Sequence, residues 1–508
     1  MQRGGAALRR RRQPVVLAAL AVLGLSLTPW AINAAYPPSG TAFVGTFYYV
    51  DDFYNYLSYA QQAEEGAFFF TNKAILTDHA PALVNLEWWM VGLLSRLMGG
   101  GRLLLAYRIL GVLATLAFLL VADLWLQRLG LGDGHRLPAL LLVGTGGGLG
   151  WLLFSFAGRG LTACLDLFTG LFPFVGFLTN PHFTAGTTLL LLALLLFETA
   201  EGARRVTFAT VVALALALVR PYDFVLLVLI RGMAVVLLEP PRRWLVGFLP
   251  LLALLPVAAY LYWLFYANPA FAFYSGTVQS FPKATAFLWA LGPAVVLALP
   301  GAFTPSAEEG PRRARLHLVL WAGFAALVIA VRPVAFSLQF LVGVGFPLLA
   351  LGALGLRRFA PAVTLVAAAV FAVTFATALR FMLTPRPFWL AGRETMALLE
   401  TLRTTCGKGD ILFAPGDVGL LAYGLTPCRP FLSHRISPNY DGRLRQMERL
   451  ETAAPAERRT LLHTYRVRHL VLSGDAGPAA EAWLGADAGW TRVSSFGTPA
   501  KLSLYTRR

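Results

Sequence analysis

Apolar runs of about 14–24 residues recur from residue 14 to residue 383, separated by short polar turns and, after the first run, by one long loop. Taking their edges from the turns predicts about eleven membrane-spanning helices, at 14–32, 103–126, 137–156, 183–198, 206–219, 224–238, 244–266, 284–300, 316–331, 336–356 and 361–383. A further apolar stretch, 161–178, is interrupted by Asp166, Gly170 and Pro173 and reads as re-entrant or surface-lying. From Pro385 onward the hydrophobicity drops and the period changes. Helices are predicted at 395–402, 443–450 and 456–463, and strands at 410–413, 469–472 and 501–505. The pattern is that of an all-α polytopic membrane bundle, residues 1–384, carrying a C-terminal α/β domain, residues 385–508.

The first long polar interruption, the loop 33–102, is crowded with aromatics rather than with Gly and Ser, so it is not a mere linker. Phe53, Tyr56, Leu57 and Ala60 recur at helical spacing, as do Trp88, Gly92 and Ser95 behind Glu87. Both segments suit short helices lying on a membrane surface, with Trp and Tyr at headgroup level.

Composition agrees with the pattern: of 508 residues, 57% are hydrophobic and only 14% charged. The net charge of +17 is explained by placement rather than by a polyanionic partner. Of the 43 Lys and Arg, 16 lie on the N-terminal arm and in the short loops expected to be cytosolic, and 17 lie after Pro385, where 11 acids accompany them. The first group is what the positive-inside rule requires of a cytosolic face. No basic-aromatic motif for nucleic acid appears, and nucleic acid is not among the partners expected.

Arg9 to Arg12 before the first apolar run hold the N-terminus in the cytosol, so the loop 33–102 and, by the odd span count, the C-terminal domain fall outside a multi-pass plasma membrane protein. The same run resembles a signal peptide cleaved near Ala34-Ala35; a retained first helix suits its length and the many spans that follow. Arg231 fits poorly within a span, where an unpaired charge costs roughly 2.5–3.5 kcal/mol on insertion scales. Three cysteines are too few for a disulfide scaffold or a cysteine-based metal site. Cys406 and Cys428, both in the outward domain, allow one disulfide.

Several polar groups sit where chemistry is possible. Asp51-Asp52 opens the first helical pattern of the external loop, at the outer mouth of the bundle. One Asp there makes a common N-cap, but two adjacent acids exceed what a cap needs. Asp78-His79 precedes Pro81 and suits either a turn or a site; alone the pair is weak evidence for a metal. Arg220 and Arg332 each end an outward-running span directly before Pro, on the face that is poor in Arg, an unusual placement for which ordinary snorkelling to the interface is the alternative to a site. Asp166, Asn180, His182 and Asp223 are polar groups near that same face. The run Gly144–Gly150 lacks the Lys-Ser/Thr of a phosphate loop and suits close helix packing. Ala414-Pro415-Gly416-Asp417 suits a strand-to-helix turn.

Taken together, a first helix, an external loop with acid-acid-x-aromatic, an Asp-His-x-Pro near a Trp-rich helix, and the aromatic-Arg pair Tyr107-Arg108 opening the next span resemble the GT-C fold glycosyltransferases that use polyprenol-phosphate sugars, of the protein O-mannosyltransferase and aminoarabinose transferase type. The family pattern has Asp-Glu and His-Pro-Pro where this chain has Asp51-Asp52 and His79-Ala80-Pro81. The resemblance covers about the first 240 residues.

It implies transfer of a sugar from a polyprenyl-phosphate donor to an acceptor on the extracytoplasmic side, with inversion, Asp51 taking the catalytic position and Asp52 the Glu position. Asp78, His79, Tyr107, Arg108, Asp166, His182, Arg220, Asp223, Lys283 and Arg332 are then the candidates for holding substrates, with Arg220 and Arg332 foremost for the carrier phosphate and Lys283 a third. Carrier and membrane lipid are the expected partners, with the acceptor open. No strong ligand set marks a divalent metal, which such a reaction also admits. A lipid or solute transporter or flippase also needs many spans and polar groups at mid-depth, but no internal repeat is seen. A non-catalytic membrane scaffold is the third class.

Overall fold

A computed structural model describes residues 2–160, 163–199, 202–276, 281–332, 336–473, 484, 489–497 and 501–507. The chain divides into two compact units, one formed by residues 1–32, 108–263 and 275–384, the other by 33–107, 264–274 and 385–508.

The first unit is helical. Among the described residues, eight helices are long and apolar enough to cross a membrane, beginning with Pro14–Ala35 and ending with Pro361–Leu383, and two bent pairs raise the total to ten if each pair is one span. The expected span 206–219 corresponds to the helix Ala203–Val219, whose 17 residues rise about 26 Å, slightly less than a hydrocarbon core. The expected spans 137–156 and 244–266 are not straight. The first is Asp133–Thr145 followed by Gly150–Phe156 with a 52° bend, the second Pro241–Leu252 followed by Leu255–Ala267 with a 50° bend.

The first break has a specific cause in the glycine run. A Cβ on Gly148 would lie 2.0 Å from the Ala290 carbonyl oxygen, and one on Gly147 would lie 2.5 Å from Thr374. The Thr374 hydroxyl donates to the Gly148 carbonyl (2.8 Å). Buried Asp166 accepts the freed backbone N–H groups of Gly148 (3.1 Å) and Gly150 (2.8 Å). The helix thus opens where its backbone groups find other partners, as irregular backbone at membrane depth requires. The second break carries Pro250 and Pro256, which remove ladder donors. Among the described residues, the stretch around Asp166 carries the short helices Leu165–Phe168 and Pro173–Leu178.

Arg231 lies inside the helix Pro221–Leu238 with its guanidinium over the Phe197 ring (5.9 Å), in the opposing fields of Glu239 and Glu198 and of Arg313.

In the second unit the loop supplies β1 (Thr41–Phe43) and the helices Val50–Glu64 and Leu86–Leu97. The tail supplies β2 (Leu390–Gly392), which pairs antiparallel with β1, so loop and tail are joined by backbone hydrogen bonds. The remaining strands are β3 (Ile411–Phe413), β4 (Arg429–Pro430), β5 (Val467–Ser473), β6 (Trp490–Phe496) and β7 (Leu502–Arg507). They form one sheet in the order β4-β3-β5-β7-β6, with β3 parallel to β4 and β5 and the far side antiparallel. Helices Arg393–Thr405, Gly416–Leu425, Tyr440–Thr452 and Pro455–Thr464 complete the domain. Its core stacks Phe413 on Phe431 (4.1 Å between ring centres), beside Leu462, Val467, Leu470 and Tyr505. Cys406 and Cys428 form a disulfide.

Candidate active site

Asp51 and Asp52 occupy the first turn of the helix Val50–Glu64. Neither acts as its cap: the cap position belongs to Tyr49, held in the left-handed region (φ 52°), with no side-chain cap bond. A left-handed non-glycine residue costs roughly 1–2 kcal/mol. The helix N-terminus favours negative charge at both.

Two tail residues meet these carboxylates. The buried His434 ring approaches Asp52 Oδ1 through Nε2 (3.1 Å), and Arg435 Nε lies 3.5 Å from Asp51 Oδ2. The Ile436 backbone N–H donates to His434 Nδ1 (3.1 Å). The ring is thereby oriented with Nε2 toward Asp52. Burial lifts the Asp51 carboxyl above its ordinary range; His434 and Arg435 pull it down and Asp52 pushes it up. A carboxylate of raised basicity, one-third exposed, is suited to accepting a proton.

Behind the carboxylates stands an aromatic and amide layer. The Tyr423 hydroxyl donates to Asn55 (2.8 Å), and Trp88 stacks on both Tyr56 (5.0 Å) and Tyr59 (4.9 Å). Lys73 is buried, donates to the Thr426 carbonyl (2.7 Å) and lies over the Tyr423 ring (5.6 Å). Burial pushes its ammonium down to about 7, so it exchanges its proton near neutrality. Nothing in the local sequence around Lys73, His434 or Arg435 marks them; Thr426, Asp52 and Asp51, which they meet, are hundreds of residues away.

The other candidates in this unit have local work. Asp78, fully exposed, pairs with Arg429 (2.8 Å). His79 accepts the Asn72 backbone N–H at Nε2 (2.9 Å), and its Nδ1 faces the Thr77 carbonyl (3.0 Å), so both ring nitrogens tie the 72–79 turn. Tyr107 packs edge-on against Phe53 (5.1 Å), beneath the acid-bearing turn. Among the described residues, the grouping of three ligand-type side chains within 4.8 Å is Cys406, Asp410 and His469.

In the helical unit a second polar cluster forms. Arg220 and Asp223 are both buried and paired at 2.9 Å. Arg220 also donates to the Gln339 carbonyl (2.7 Å) and covers the Phe183 ring (5.0 Å), while the field of His182 acts on Asp223. Gly186 makes the room: a Cβ there would lie 2.2 Å from Arg220 Cδ. Arg332, by contrast, is exposed, with its guanidinium over Phe281 (4.5 Å), two residues before exposed Lys283. Arg108 is buried over the Trp30 ring (5.4 Å). Asp166 is spent on the helix break.

No family model and no curated protein matches this sequence. Solved structures do match. ArnT of Cupriavidus metallidurans bound to undecaprenyl phosphate superposes over 97% of both chains, with a TM-score of 0.53 and 13% identity. The Archaeoglobus fulgidus oligosaccharyltransferase tethered to an acceptor peptide superposes over 98% of this chain and 74% of its own, with a TM-score of 0.53 and 12% identity. The same archaeal enzyme, AglB, in complex with an inhibitory peptide and a dolichol-phosphate reaches 0.50 at 12% identity. This chain has the GT-C fold. At such identities the GT-C likeness is one of architecture, and the chemistry of the carboxylate cluster has to be argued from its own residues.

Proposed function

We propose that this chain is an integral membrane glycosyltransferase that moves a sugar from a polyprenyl-phosphate carrier to an acceptor on the extracytoplasmic face, with inversion. The observation that carries the proposal is the Asp51-Asp52 pair at a helix N-terminus, met by His434 and Arg435, with the Asp51 carboxyl raised in basicity by burial. Undecaprenyl phosphate and dolichol-phosphate in the neighbours of the same fold supply the donor class.

In this reading Asp51 takes the proton of the acceptor nucleophile as its oxygen attacks the anomeric carbon from the face opposite the carrier phosphate. General base assistance of this kind typically contributes 10²–10⁴-fold. The phosphate departs as an anion at neutral pH, so no general acid is demanded. His434 holds Asp52 in place, and Asp52 keeps the Asp51 carboxyl more basic than burial alone does. Of the two phosphate-clamp candidates, Arg332 is the exposed one, directly before Pro, with Lys283 close in sequence to its Phe281 support. Arg220, buried against Asp223, orders the helix junction.

The topology that goes with this counts Ala203–Val219 as an eleventh span, the N-terminus in the cytosol, and the loop 33–102 and the domain 385–508 outside. Two broken helix pairs also suit a transporter. Assay of Asp51→Asn with a radiolabelled polyprenyl-phosphate sugar separates the readings: a transferase loses sugar transfer, whereas a transporter has none to lose.

A further inference from the structure

The disulfide in the tail sits among other metal-type ligands. Cys406 caps the helix Arg393–Thr405, Cys428 directly precedes β4, Asp410 directly precedes β3, and His469 lies on β5 opposite Leu412 of β3. The parallel pairing of β4, β3 and β5 therefore brings all four to one end of the sheet. The ligand atoms of Cys406, Asp410 and His469 lie within 4.8 Å of one another, and Cys428 is bonded to Cys406. Cys406, Cys428 and His469 are buried.

We propose that the dithiol form of this cluster is a closed tetrahedral site for zinc, with Cys406, Cys428, His469 and Asp410 as ligands. Two thiolates, an imidazole and a carboxylate are ligand types that zinc takes in four-coordinate structural sites. Zinc bond lengths place such ligands about 3.3–3.8 Å apart, so Cys406, Asp410 and His469 draw in modestly while the two sulfurs, once their bond is reduced, move apart to that spacing. The imidazole is already oriented: Nδ1 faces the Thr506 hydroxyl (3.0 Å) and Nε2 points at Asp410 (3.1 Å). When Nε2 binds metal its proton resides on Nδ1, and the Thr506 hydroxyl accepts it, since a hydroxyl both donates and accepts. Asp410 is held by the Gly407 backbone N–H (2.7 Å).

The switch between the two forms balances without further groups. A dithiol reductant gives two electrons and two protons to the disulfide, leaving two cysteine thiols and the oxidised, disulfide form of the reductant. Zinc then displaces both thiol protons. While the disulfide stands, its sulfurs carry no thiolate charge, and only Asp410 and His469 remain as ligands. The cluster is therefore a disulfide under oxidising conditions and a metal centre under reducing ones.

The test uses the full chain in detergent with Cys164→Ser, which removes the remaining thiol. The protein is reduced with dithiothreitol, desalted anaerobically and titrated with cobalt(II), then with zinc. One equivalent of cobalt with thiolate charge-transfer absorption and tetrahedral visible bands, displaced by zinc, is the expected result; unreduced protein shows neither. His469→Asn weakens binding at least about 10-fold, and Cys406→Ser with Cys428→Ser abolishes the charge-transfer band. Circular dichroism melts accompany each sample. The proposal is overturned if reduced protein gives no charge-transfer band, if the double serine variant binds cobalt with the same spectrum, or if the reduced tail unfolds and stays unfolded with zinc present.

Discussion

Replacing Arg435 with Ala tests the electrostatics of the carboxylate pair. Arg435 stands 3.5 Å from Asp51, and its charge lowers the Asp51 carboxyl against the larger upward effect of burial. A bare Coulomb estimate at that distance with an effective dielectric of about 20 gives roughly 5 kcal/mol. That figure is too large, because the Arg435 side chain is 80% exposed and water screens it. Exposed pairs are worth about 0.2–1 kcal/mol, which at about 1.4 kcal/mol per pKa unit moves the Asp51 carboxyl up by about 0.2–0.7 unit. A base works only when deprotonated, so activity rises with pH through its pKa, and losing Arg435 shifts that acid limb to higher pH. Asp52→Asn acts in the opposite sense: it removes a neighbouring negative charge while its amide oxygen still accepts from His434, and the limb moves to lower pH. The assay is kcat/KM for sugar transfer across the acid range for wild type and both variants. An acid limb that moves down in Arg435→Ala, or that stays fixed in both variants, refutes Asp51 as the titrating base.

Further tests address the membrane unit and the tail. Arg332→Lys is expected to impair transfer although charge is kept, because an ammonium cannot copy bidentate guanidinium bonding to phosphate; full activity and carrier affinity in this variant would make it an interfacial anchor. Single cysteines at Gly276 and Gly310, in a background without Cys164, are expected to label from opposite sides of the membrane, and same-side labelling breaks the eleven-span topology. Converting Cys406 and Cys428 to Ser is expected to lower tail stability by about 3 kcal/mol for a loop of this length, measured by denaturant unfolding of the full chain; an unchanged midpoint contradicts it.

The parts of this molecule that the sequence discloses are those written in local periodicity. The amphipathic helix Arg393–Thr405 and strand β5 appear within a few residues of their expected bounds, and the acids Asp51-Asp52 stand out because two neighbours exceed a cap's need. What stayed hidden depends on partners distant in sequence. β1 and β2 are three residues each and exist only because they pair across some 350 residues. β4 is two residues long. His434 and Arg435 lie in an irregular segment between β4 and the helix Tyr440–Thr452, and acquire meaning only when the tail folds against the helix Val50–Glu64. The bend near Gly148 escaped a hydropathy reading because glycines leave an apolar average intact, while the backbone opens only where Asp166 and Thr374 take up its hydrogen bonds.

The central claim is that the Asp51 carboxylate is the base of a sugar transfer from a polyprenyl phosphate. Its most direct test is single-turnover transfer from a radiolabelled polyprenyl-phosphate sugar by Asp51→Asn, with carrier binding measured on the same preparation. The amide matches the carboxylate in volume and cannot take a proton, so transfer is expected to fall at least 100-fold, the lower bound for losing a base of about 10²–10⁴-fold, with carrier affinity unchanged. Wild-type turnover in Asp51→Asn would contradict the account.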